Sequence, residues 1–191
     1  FVERIVNGLG VRHLMIGDDF RFGKGRTGDF AMLQRAGFEN GFGVEAMETL
    51  VYEGERVSSS AVREALDAGD LEHAERLLGR PYCISGRVIH GEKLGRKLGY
   101  ATANIQLKRL RAPLSGIFVV TVDGIGEHPL EGVASLGIRP TVSSTGVPTL
   151  EAYIFDYQGD LYHAHLRVNF LHKLRDEAKF DTLEALTAQI A

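Results

Sequence analysis

A chain of 191 residues holds one large domain or two small ones, and its 44% hydrophobic and 25% charged residues exclude a disordered polyelectrolyte. A net charge of −3 excludes a general basic field for nucleic acid or an anionic membrane, so any polyanion must be met locally. The single cysteine, Cys83, has no internal disulfide partner and no zinc-site companions, and no apolar run of about eighteen residues occurs; a cytoplasmic protein with neither nucleic-acid nor membrane partners is expected.

The chain opens inside a helical pattern, with Val2, Ile5, Val6 and Leu9 on one face and no initiator methionine, and is expected to be a fragment of a longer protein. A compact strand, "RHLMIG", precedes the polar loop "DDFRFGKGRTGDF". Phe30 to Phe38 then predicts a helix and "VEAMETLVY" a strand. "SSSAVREALDAGDLEHAERLLG" predicts two short helices broken at Gly69-Asp70 and stopped at Gly79. Helices alternating with strands predict an α/β layer structure over 1–80. After "GRPY" the character changes. Short strand signals at Val88–Ile89, Ile117–Val122, Val133–Leu136, Tyr153–Tyr157 and Leu166–Phe170 predict an antiparallel barrel or sandwich over 81–191. "DTLEALTAQIA" predicts a closing helix, with Asp181 as N-cap, Glu184 three residues on, and Leu183, Leu186 and Ile190 as its apolar face. The boundary is placed near Arg80.

Four stretches contain residues suited to chemistry. In "HGEKLGRKLGYATANI" the glycines at 91, 95 and 99 can adopt positive φ and admit an anion to backbone N–H groups, while Lys93, Arg96 and Lys97 add charge. Thr102 and Asn104 alternate on an extended segment, where both oxygens can face a hard cation such as Mg²⁺. No Gly-Lys-Ser/Thr leads into a helix, so this is no Walker loop, and a plain structural turn between strands, the commoner use of such glycines, also explains them. Glu151 on "LEAYIFDY" shares its face with Tyr153, Phe155 and Tyr157; it is either a solvated strand-end carboxylate or a general base in a partly apolar site. In "LRDEAKF", Arg175, Glu177 and Phe180 suit either a flat heterocycle or a surface ion pair with a buried ring. In "VSSSAVREAL", Ser58, Ser59 and Arg63 at a helix start suit either phosphate or ordinary capping. His163 and His165, alternating on a predicted strand, lack partners at metal-ligand spacing and read as surface histidines.

In chain order, "GDDFRFGKGRTGDF", "VSSSAVREAL", "LLGRPY", "GRVIHGEKLGRKLGYATANI", "GIRPTV", "LEAYIFD", "DLYHAHLRVNF" and "LRDEAKF" resemble the bacterial bifunctional riboflavin kinase/FMN adenylyltransferase family over nearly the whole chain. The resemblance implies a partial Rossmann-like nucleotidyltransferase segment at 1–80 and a six-stranded antiparallel riboflavin kinase barrel with a C-terminal helix at 81–191. It implies ATP and riboflavin as substrates, FMN and ADP as products, and Mg²⁺ as cofactor. Gly91, Gly95, Arg96 and Gly99 would cradle ATP phosphates, Thr102 and Asn104 would bind Mg²⁺ and nucleotide, Glu151 would be the general base, and Arg175, Glu177 and Phe180 would lie near the flavin. Ser58, Ser59 and Arg63 would be the remnant of an adenylyltransferase site. Adenylyl transfer is expected to be lost, because the family's His-x-Gly-His motif is absent from this sequence. The alternative is a flavin- or nucleotide-binding module without turnover. Two departures stand out: Ala101 where the family has proline, which preorganises the strand less, and His163 where the family has glycine.

Overall fold

The computed structural model describes residues 1–91, 102–107, 112–138 and 148–178. By packing, the chain divides into Phe1–Val57 and Ser58–Ala191. That division falls earlier than the change of character at Arg80, because the two helices before Arg80 pack with the second unit.

In the first unit, β1 (His13–Gly17) pairs in parallel with β2 (Gly43–Met47), and α1 (Phe30–Asn40) lies between them in sequence. Asp29 caps α1 by accepting from the Met32 N–H at 2.9 Å, and Gly41 at φ 73° ends it in the left-handed region. The expected strand "VEAMETLVY" is broken: β2 stops at Met47, and β3 (Val51–Tyr52) forms a tight hairpin with β4 (Glu55–Arg56). Glu53 and Gly54 at the tip both take positive φ, as a two-residue hairpin turn requires. The opening segment forms one wide π-type turn over Arg4–Gly8, and its different angular spacing takes Leu9 off the buried face: Ile5 is buried and Leu9 is 76% exposed. Ile5, Ile16, Phe22, Leu33 and Phe42 make this unit's core.

In the second unit, α2 (Ser59–Ala68) and α3 (Leu71–Leu78) each begin on a capping side chain, Ser58 and Asp70, and end on a left-handed glycine, Gly69 and Gly79. Six strands follow: β5 (Tyr82–Ile89), β6 (Thr102–Ile105), β7 (Gly116–Asp123), β8 (Leu130–Ile138), β9 (Pro148–Ile154) and β10 (His165–Arg175). They close into an antiparallel barrel in the order β10-β5-β6-β9-β8-β7. Alternation fills the interior with Ile84, Val88, Phe118, Val120, Val122, Leu136, Leu150, Leu166, Val168 and Phe170. Phe118 and Phe170 meet edge to face at 5.2 Å. The six-stranded barrel expected from the resemblance is the observed one. The expected closing helix from Asp181 lies outside the described residues.

Two local expectations are corrected. Strand β9 ends at Ile154, and Asp156 takes a φ of 54°, so Tyr157 leaves the face it was expected to share with Glu151. His163 sits in a turn at φ 68°, not on a strand with His165.

Candidate active site

The register of the barrel brings together residues far apart in sequence. On β6, Ala103 and Ile105 point into the core, which sends Thr102 and Asn104 to the other face, both half-buried. Asn104 stands directly opposite Glu151 on β9. The Thr102 hydroxyl lies 3.5 Å from Glu151 Oε2, long for a hydrogen bond. Glu151 is half-buried beside Tyr153, which meets Phe155 edge to face at 5.8 Å.

Gly91, just after β5, touches the same group. A Cβ on it would collide with the Asn104 carboxamide, and its φ is not positive. Close approach, not the positive φ anticipated for the glycines, is what glycine supplies at 91. Gly95, Arg96 and Gly99, with Lys93, Lys97 and Ala101, lie outside the described residues. A cleft of about 300 Å³ opens here, with Gly91, Thr102 and Asn104 among its lining residues. Its wall also includes Tyr157, Asp160 and Tyr162, which the motif reading missed. The Asp160 carboxylate accepts from the Tyr162 N–H at 2.9 Å, and the Tyr162 ring is backed by His90 at 4.0 Å. A strand ending in an aromatic-acidic turn was the available signal.

Across the barrel the register continues the row. Glu151 faces Ser135 on β8, Ser135 faces Ile117 on β7, and Ile117 faces Arg175 on β10. Glu177, two residues past β10, accepts a hydrogen bond from Ser135 Oγ at 3.0 Å. The pair anticipated near a flat ring, Arg175 and Glu177, therefore lies on the same belt as Glu151; Phe180 lies outside the described residues. Between Arg175 and Glu177, Asp176 pairs with Lys173 Nζ at 2.7 Å, and this hydrogen-bonded ammonium holds the carboxyl below its ordinary value.

The other anticipated cluster is engaged locally. Ser58 Oγ accepts from the Ala61 N–H at 3.1 Å and caps α2, while Arg63 Nη1 donates to Ser59 Oγ at 3.3 Å. Separately, the loop after β1 places Asp18 and Asp19 at the carboxyl end of a parallel strand, where ligand sites gather in such sheets. The Thr49 hydroxyl donates to Asp18 at 2.7 Å, and Arg56 pairs with both aspartates. The Thr49 hydrogen bond is the leading cause that lowers the Asp18 carboxyl, with burial opposing it and Arg56 assisting. Among the described residues, no three His, Cys, Asp or Glu side chains gather as around a metal ion, and no helix is long and apolar enough to cross a membrane.

Known proteins resemble the chain along its whole length. The riboflavin kinase family model matches residues 78–191, and the FAD synthetase model matches 1–61. A bifunctional riboflavin kinase/FMN adenylyltransferase from Pseudomonas fluorescens is 55% identical over 191 residues, and one from Escherichia coli K12 is 49% identical over 189. These alignments take in 100% and 99% of this chain but only 61% and 60% of the relatives' own lengths. A crystal structure of a protein described as a macrolide-efflux protein from Streptococcus pneumoniae matches with a TM-score of 0.72 at 29% identity, covering 99% of this chain and 62% of that one. The span matched by the kinase model is more than half of the sequence and holds the whole closed barrel, with Thr102, Asn104 and Glu151 on adjoining strands, and the chain accordingly belongs to the riboflavin kinase family.

Proposed function

We propose that this chain is a riboflavin kinase, transferring the γ-phosphoryl group of ATP to the ribityl 5′-hydroxyl of riboflavin to give FMN and ADP. The observation that carries the reading is the kinase match over 78–191 coinciding with a barrel that sets Glu151 opposite Asn104 and beside Thr102. In this reading Glu151 takes the proton from the 5′-hydroxyl as the new O–P bond forms, and the bond from the γ-phosphorus to the leaving ADP oxygen breaks. The half-buried setting on β6 and β9 limits water around these groups, and fixed strands hold them without reorganisation.

Thr102 and Asn104 fit a magnesium ion. Both offer neutral hard oxygens on one face of a rigid strand, and the Asn104 carboxamide is held against Gly91. A bound Mg²⁺ would neutralise phosphate charge there, sharing its shell with phosphate oxygens and water. The glycine segment 91–99, with Arg96, is assigned to the ATP phosphates, and Arg175, Glu177 and Phe180 to the flavin ring. Residues 81–191 constitute the kinase part and 1–80 the adenylyltransferase part, where Ser58, Ser59 and Arg63 would meet nucleotide phosphate once Ser58 gives up its cap. The cytoplasm is the compartment where both substrates and a reduced Cys83 are expected.

Incubation with riboflavin, ATP and Mg²⁺, followed by chromatographic separation of flavins, tests the assignment. FMN formed in step with ADP supports it. Riboflavin retained on the protein with no FMN would instead identify a binding module, and neither binding nor turnover would reject both.

A further inference from the structure

Strand β8 carries two residues to which the proposed reaction gives no part. Alternation sends Ala134 and Leu136 into the barrel and Ser135 and Gly137 to the opposite face. Gly137 is buried there all the same, because the Glu177 carboxylate lies over it: a Cβ on Gly137 would run into Cδ and both carboxylate oxygens of Glu177. The φ of Gly137 is not positive, so the space demands glycine and the backbone does not. Beside it, Ser135 Oγ donates to Glu177 Oε1 at 3.0 Å. A serine hydroxyl has one proton to donate, and here it goes to Glu177 while Ser135 stands in register with Glu151. Ser135 is thus the common neighbour of two carboxylates that arrive from β9 and from the segment after β10.

We propose that Ser135 and Gly137 form a socket that seats the Glu177 carboxylate, fixing the segment that follows Arg175 against β8 next to Ser135, the register partner of Glu151. They are positioning residues, and what the seated segment recognises rests on the riboflavin kinase reading. A carboxylate just beyond a strand end otherwise samples many rotamers, and ordering it must be met from binding energy. A preformed socket removes that cost before the flavin arrives. Its loss therefore weakens riboflavin binding more than it slows phosphoryl transfer.

Two measurements on the full chain test this. In steady-state kinetics, Ser135→Ala, Gly137→Ala and Glu177→Ala should each raise KM for riboflavin by about 2- to 150-fold, the span of contact coupling energies, and Ser135→Ala and Gly137→Ala should leave KM for ATP and kcat each within about twofold. The doubles Ser135→Ala/Glu177→Ala and Gly137→Ala/Glu177→Ala should be no worse than Glu177→Ala alone. Multiplying effects, or changes in kcat with KM for riboflavin unmoved, would overturn the socket. In limited trypsin digestion, cleavage after Arg175 should speed up several-fold in each single variant while other sites keep their rates; unchanged cleavage there also overturns it. Ser135→Ala and Glu177→Ala only remove side-chain atoms from the outer face, so they remain informative if Gly137→Ala folds poorly. Digestion needs no turnover. A wild-type chain that makes no FMN would overturn the kinase reading, and faster cleavage at Arg175 in the variants would still support the socket.

Discussion

Glu151 owes its neighbours to strand register, so its chemistry is tested one atom at a time. Glu151→Gln keeps the shape and the belt but removes the carboxylate proposed as the base, and turnover should fall by roughly 10²–10⁴-fold with riboflavin affinity nearly intact. Equal turnover in the variant would take Glu151 out of the mechanism. Asp176 tests the electrostatics of the same rim. Its carboxyl is held below the usual 3.8 by the hydrogen bond and charge of Lys173, so the pair's contribution is complete above that value and is lost as pH falls through the lowered one. In Lys173→Met, carbon-detected titration should show Asp176 moving back up to the ordinary range; a titration that does not move would show that the pair is not maintained in solution. Asp176 is fully exposed, so the change belongs to titration more than to stability.

Among the elements, the helices were the most legible. Asp29, Ser58 and Asp70 cap α1, α2 and α3, and Gly41, Gly69 and Gly79 end them, because capping is a local contest between a side-chain oxygen and water for free N–H groups. Replacing Ser58 with alanine should cost about 1 kcal/mol, read as a lower urea midpoint with an unchanged slope. A midpoint equal to wild type would mean that water replaces the cap without loss. The strands were legible by alternation, but their ends were not. β9 stops three residues before the aromatic pattern does, since the positive φ at Asp156 turns the chain away from the sheet. β10 runs on to Arg175, past bulges that a strict two-residue period does not anticipate.

For the whole molecule, the described residues form two separate cores. Ile5, Ile16, Phe22, Leu33 and Phe42 make the smaller one, and the barrel interior with Ala65, Leu66, Leu71 and Ala74 makes the larger. Units with their own cores unfold with their own midpoints. Scanning calorimetry should resolve two transitions, the larger-enthalpy one belonging to 58–191, since unfolding enthalpy scales with the residues that melt. One transition whose calorimetric and van't Hoff enthalpies agree for the entire chain would show a single cooperative unit.

The amino-acid order alone determined local features: where α2 and α3 start and stop, that the second half is built of short alternating strands, and which residue types were worth watching. Thr102, Asn104, Glu151, Arg175 and Glu177 were all visible as candidates, each with a bland reading beside it. Only the tertiary structure decided which of these side chains come together, because closure pairs β6 with β9 and β7 with β10 across long sequence separations. Register then sets which side chains meet, and a slip of one residue would turn every one of them to the opposite face. That is why Ser135 and Gly137, unremarkable within "GVASLG", acquire a place at the site only once the barrel is closed and Glu177 lies across them.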